Sequence, residues 1–124
     1  MSGPVTVTNV SRGHTLGTRI GVADGWWSRL RGLLGRPALA DGEGLLLVPC
    51  RSVHMFGMRG ALDVAFIGRD GAVIAVYHAL RPGGRTRWHR RALAALALPP
   101  GTLHRTGTRD GDTLAWHGAA QVAA

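Results

Sequence analysis

Apolar and polar positions alternate at several points along this chain, and the alternation predicts strands. Val5-Thr6-Val7-Thr8-Asn9-Val10 has the period of two expected of a strand with one buried face. Ser11-Arg12-Gly13 reads as a turn, and Thr15 to Ile20 alternates again as the antiparallel partner. The period then changes. After Asp24, a residue suited to capping a helix, Trp26, Trp27, Leu30, Leu33 and Leu34 recur at helical spacing until Gly35 and Pro37. Adjacent Trp26 and Trp27 cannot both face one core from a helix, so one of them lines a pocket or packs under a loop.

The second half returns to short apolar runs. Leu45 to Val48 reads as a buried strand stopped by Pro49, Val53 to Phe56 as a brief extended piece, and Leu62 to Ile67 as a strand. Arg69-Asp70-Gly71 is a hairpin turn in which Gly71 takes positive φ, and Ala72 to Leu80 is the return strand. Arg81 to Arg87 is a loop. Ala92 to Leu98 is apolar throughout, and its period does not distinguish helix from strand. Thr102 to Thr106 fits one helical turn, Asp110-Gly111-Asp112 a turn, and Thr113 to Trp116 a last strand. Together these elements predict a mainly β (α+β) fold: one small domain, 1–124, with a partly closed, antiparallel, barrel-like sheet and one or two short helices. The core spans about residues 15–116, and residues 118–124 form a frayed tail.

Four segments resemble the DUF192 family, a prokaryotic group of unknown function. Arg31-Gly32-Leu33-Leu34-Gly35-Arg36 is similar to its G-L-M-G-R segment, and Glu43-Gly44-Leu45-Leu46-Leu47-Val48 to its G-M-L-F-V strand. Phe56 to Ile67 resembles its F-W-M-K-N…P-L-D-I-x-F-I signature, with Gly57, Arg59 and Gly60 where that signature has Trp, Lys and Asn. Leu98-Pro99-Pro100-Gly101-Thr102 through Gly107 and Gly111-Asp112 resembles its L-P-A-G-T…G…G-D ending. The resemblance implies a compact β-rich fold with a groove, and it implies no known activity.

Composition changes this picture in one respect. The formal net charge is +8, and all fifteen basic residues are Arg. A GC-rich genome explains Arg in place of Lys but not the excess over seven acids. That excess attracts polyanions. No sequence-reading nucleic-acid motif is present. A lone Cys50 excludes an intramolecular disulfide. Residues 1–10 lack the features of a signal peptide, and no apolar run reaches the ~20 residues of a membrane helix. The expectation is a cytoplasmic protein without a membrane span.

Several residues are candidates for chemistry. Asp63 interrupts an apolar strand, so its carboxylate needs donors. It either anchors a ligand with Arg59 or another arginine, or serves structure as an ion pair or a holder of backbone N–H groups. Cys50, His54, Met55 and Met58 offer soft metal ligands at a spacing that matches no zinc pattern, while Met and Cys also fill cores. Cys50 with His54, oriented by Asp63, has the residue types of a hydrolase or transferase nucleophile pair. The Arg81–Arg91 loop carries Arg81, Arg85, Arg87, Arg90 and Arg91 with Trp88 and His89 and no acid; it is either a solvated loop or a grip for phosphates and bases. The leading expectation is a non-catalytic domain with no cofactor. It binds an anionic small molecule or protein partner in a groove near Met58–Asp63, edged by Met58, Arg59, Asp63, Arg85, Arg87 and Trp88. A Cys50/His54/Asp63 enzyme and a nucleic-acid accessory protein acting through the Arg81–Arg91 loop are the alternatives.

Overall fold

The computed structural model describes residues 4–23 and 39–118. The helix expected after Asp24, with Trp26 and Trp27, lies outside the described residues, as does the tail 119–124. The described strands are β1 (Val5–Asn9), β2 (His14–Ala23), β3 (Glu43–Leu47), β4 (Leu62–Ile67), β5 (Val73–Leu80), β6 (Ala94–Leu98) and β7 (Leu114–Gly118), with a short helix α1 (Thr102–Thr106). They form one curled sheet in the order β5-β4-β6-β3-β2-β1-β7. Its two edges meet at one point, where Ala72 bridges Thr113 and the Val73 N–H donates to the Asp112 carbonyl at 2.8 Å. The result is a half-barrel, as the sequence pattern predicted.

The order of the strands explains their composition. β4, β6 and β3 are central and covered on both faces. Val64 and Phe66 of β4 enter one core with Leu45, Leu47, Ala95 and Ala97, while Ala65 and Ile67 enter the other with Leu46, Leu96 and Leu98. Strands buried on both faces read as continuous apolar runs. Alternation survives in β1, where Val5, Val7 and Asn9 point inward and Thr6 and Thr8 are half-buried. The first core is covered by the segment after β3, through Cys50, Val53, Met55 and Met58, and the second by Leu103 of α1 and Leu114 of β7.

Three details refine the expectations. β2 and β3 run parallel, Arg19 beside Glu43 through Ala23 beside Leu47, in a sheet whose other pairs are antiparallel. A parallel pair requires a long connection, and the sequence between Ala23 and Glu43 is long enough for one. Ala92–Leu98 resolves as strand β6 from Ala94, inserted between β3 and β4. Gly118, counted with the tail, pairs with Val5 in β7, whereas the Val53–Phe56 piece contributes only a bridge from His54 to Arg85. The hairpin turn is as expected: Asp70 (φ 59°) and Gly71 (φ 77°) are both left-handed, and Ala72 N–H closes the turn onto the Arg69 carbonyl at 3.1 Å.

Two buried carboxylates tie the sheet together. Asp63 is 0 % exposed. Its Oδ1 accepts the Ala79 N–H at 2.8 Å and its Oδ2 accepts the Leu103 N–H at 2.9 Å. The first bond sits at a register shift between β4 and β5, where Ala79 adopts a positive φ of 50°. The second satisfies a free N–H in the first turn of α1. Asp112 Oδ2 accepts from Asn9 Nδ2 (3.0 Å), Arg12 Nε (3.1 Å) and the Arg109 N–H (3.1 Å). Asn9 is itself fully buried and also donates to Thr108 Oγ1 at 2.9 Å. Burial raises the Asp112 carboxyl, but the bonds from Asn9, Arg12 and Arg109 and the Arg12 charge outweigh it and hold the group below its usual range.

Asp63→Ala leaves two buried donors unpaired and lowers unfolding free energy by about 3 kcal/mol in urea titrations, with Asp63→Asn intermediate because it keeps one acceptor oxygen; an unchanged midpoint for the alanine variant contradicts this role. The depressed Asp112 gives stability that is complete above its ordinary value near pH ~4 and is lost as pH falls through its folded value. Asp112→Asn is therefore less stable at pH 7 and loses less on acidification, and parallel stability–pH curves for the two proteins would rule this out.

Candidate functional site

The segment that follows β5 is held as a rigid platform. The Thr86 N–H donates to the Val53 carbonyl (2.9 Å), the His89 N–H to the Arg51 carbonyl (2.8 Å), the Cys50 N–H to the Leu93 carbonyl (3.4 Å) and the Leu93 N–H to the Ile67 carbonyl (2.8 Å). Thr86 Oγ1 additionally accepts the Val53 N–H at 2.9 Å. These bonds lay residues 86–93 alongside 50–53 and beside the end of β4. Ala92 is buried and His89 half-buried, whereas Arg87, Trp88, Arg90, Arg91 and Leu93 are exposed.

His89 is the hinge pin of this platform. Its ring packs against Phe66 (centroids 4.5 Å apart) and edge-on to Tyr77 (5.6 Å). The Tyr77 hydroxyl accepts the Arg87 N–H at 3.2 Å and hydrogen-bonds to His89 Nε2 at 2.7 Å. Burial, then the Arg87 charge, lowers the His89 pKa, with Asp110 opposing. The lowered value favours the neutral ring at pH 7, and the Tyr77 hydroxyl links that ring to the Arg87 main chain.

Above this platform three depressions run together. One of about 810 Å³ is lined by Gly68, Arg69, Ala72, Ile74, Arg90, Arg91 and Leu93. A second, of about 500 Å³, shares Ile74, Arg90 and Arg91 and adds Arg87, Trp88 and His89. A third, of about 310 Å³, begins at Trp88 and continues over Pro49 to Ser52. Together these depressions carry Arg51, Arg69, Arg87, Arg90 and Arg91, and among the described residues no carboxylate lines them. Among the described residues none of these guanidinium groups makes an ion pair, the pair there being Arg12 with Asp112. Trp88 is 67 % exposed at the junction and Leu93 48 % exposed at one end.

The family match spans nearly all of this architecture, over residues 7–116. The chain belongs to the DUF192 family. That family is described as uncharacterized ACR. A protein of unknown function from Novosphingobium aromaticivorans DSM 12444 is similar in structure, with a TM-score of 0.75, 28 % identity, and coverage of 91 % of this chain and 84 % of that one. A protein from Sinorhizobium meliloti 1021 described as a "putative transcription regulator" is similar at a TM-score of 0.70 and 27 % identity, covering 96 % of this chain and 97 % of that one. Comparison with curated proteins returns no match.

The residues expected from sequence fall in three places. Arg87 and Trp88 lie in the groove. Met58 is packed in the first core, Asp63 is committed to two backbone N–H groups, and Arg59 and Arg85 are exposed. Cys50 and Met55 share the core with Met58, while His54 is exposed. The Cys50 thiol donates to the Ser52 carbonyl at 3.2 Å, and burial pushes its pKa up, opposite to the depressed value an activated nucleophile has. No hydrogen bond joins Cys50, His54 and Asp63 among the described residues. Among those residues, too, no three His, Cys, Asp or Glu side chains gather as metal ligands, and no helix is long and apolar enough to cross a membrane. Sequence reasoning overlooked Arg69, Arg51, Ile74 and Leu93. Arg69 flanks the Asp70-Gly71 turn and Ile74 follows it on β5, and only sheet pairing brings them beside Arg90.

NMR titration of the imidazole resonances places the His89 midpoint below the ~6.5 of an unperturbed histidine, and Arg87→Gln moves it upward. A midpoint unaffected by that substitution excludes the proposed coupling.

Proposed function

We propose that this DUF192 domain is a non-catalytic binding module that holds an anionic ligand or partner in the arginine-lined groove over residues 87–93. One observation carries the reading. Five arginines from three chain segments line adjoining surface depressions, and among the described residues no carboxylate lines them. Clustering like charges costs self-repulsion, which an incoming anion relieves. Guanidinium groups suit carboxylates and phosphates because each presents a planar fork of donors. The platform is already fixed by backbone hydrogen bonds, so little ordering cost is due on binding. Exposed Leu93 and half-buried Ile74 give the occupant an apolar wall as well. Nucleic acid is one such anion, and the Sinorhizobium meliloti neighbour is described as a "putative transcription regulator".

The reading places the site beside the platform and not at the Met58–Asp63 strand entry. Arg59 and Arg85 therefore serve as the comparison. Isothermal titration with inorganic polyphosphate at low salt gives measurable binding. The double variant Arg90→Gln/Arg91→Gln weakens it about tenfold, roughly 1.4 kcal/mol. Arg59→Gln/Arg85→Gln leaves it within about twofold. No binding by the folded protein, or a loss confined to the Arg59/Arg85 variant, overturns the assignment.

A further inference from the structure

Within that binding reading, on which this inference rests, we infer that the occupant is a single strand of nucleic acid, its phosphates on the arginines and a base stacked on Trp88. Trp88 is the feature that an anion alone does not explain. This indole is 67 % exposed and lines two of the depressions, with Arg87 and Arg90 in the wall of one of them. Its neighbours fix its position: the backbone of Arg87 is bonded to Tyr77 and that of His89 to Arg51. An exposed aromatic on a hydrogen-bonded backbone, sharing its pocket wall with arginines, is an arrangement that takes a base face and its flanking phosphates together.

The shape of the surface favours a strand over a compact ligand. The depressions adjoin one another, Trp88 lining two of them and Ile74, Arg90 and Arg91 lining two. Arginines recur along the whole length, from Arg51 past Arg87, Arg90 and Arg91 to Arg69. Exposed Leu93 provides a second apolar contact beyond the tryptophan. Among the described lining residues there is no amide side chain, and with the arginines taken up by phosphates the bases are held through stacking, largely independent of sequence. Duplex fits poorly. Stacking on Trp88 needs an unpaired base, and the described helix α1 is only five residues long, too short to read a major groove.

The test uses fluorescence anisotropy with labelled oligo(dT) of about twelve nucleotides, the matching duplex, and polyphosphate as competitor. The single strand binds at least tenfold tighter than the duplex, and log affinity falls with log salt at a slope of about −3, as for four or five phosphate contacts at about −0.7 each. Trp88→Ala weakens binding at least fivefold with the salt slope unchanged, Trp88→Phe restores most of it, and Phe56→Ala, an aromatic exposed elsewhere, has no effect. Arg90→Gln shallows the slope by about 0.7. Duplex bound as tightly as the single strand, or a Trp88→Ala variant that binds like the parent, overturns the inference. If polyphosphate still binds in that case, the groove remains an anion site; if neither polymer binds, the function proposed above fails with it.

Discussion

The half-barrel depends on a carboxylate that has been taken out of water. Asp63 is the second residue of a strand that is buried throughout, and it survives there because each oxygen meets a backbone N–H. One bond holds β5 against β4 at the point where Ala79 leaves regular strand geometry. The other pins the first turn of α1, and with it Leu103, over the second core. A buried charge left without partners costs several kcal/mol, so the three elements have to close around it together. The same commitment explains why this acid does not reach the arginine-lined surface.

Much of the fold was legible because period and turn chemistry agree. β1 alternates, β4 matches its apolar run from Leu62 to Ile67, and Asp70-Gly71 makes the left-handed turn its residues favour. What stayed hidden depends on contacts between distant segments. Ala92–Leu98 has no period because β6 is covered on both faces, so burial removed the signal that separates strand from helix. The parallel pairing of β2 with β3 leaves no mark in either strand. Asn9 looked like an ordinary polar residue at a strand end, yet it is fully buried with Thr108 and Asp112, about a hundred positions away.

The candidate site was legible by composition and not by place. Arginines, a tryptophan and the absence of acids marked the 81–91 stretch, but the stretch divides. Arg85 pairs with His54 on one side of the loop, whereas Arg87 to Arg91 join Arg69 and Arg51 on the other. The soft cluster of Cys50, Met55 and Met58 divides in the same way from His54, because three of these side chains pack beneath the platform and one faces out. Residues that look equivalent in a list of spacings thus separate into those that support a surface and those that form it. Tyr77 and His89 are of the supporting kind: between the buried Phe66 and the open groove, they carry the order of the core outward to the guanidinium groups.

The pairing of β1 with β7 has a topological consequence. Val5 lies opposite Gly118, so the polypeptide enters and leaves the sheet at the same corner. A short covalent bridge there would turn the backbone into a ring without bending any strand, and the ring could be reopened at an exposed turn such as Arg81–Gly83. The architecture is therefore indifferent to where its thread begins, which makes it a candidate for insertion into, or rearrangement within, a larger protein.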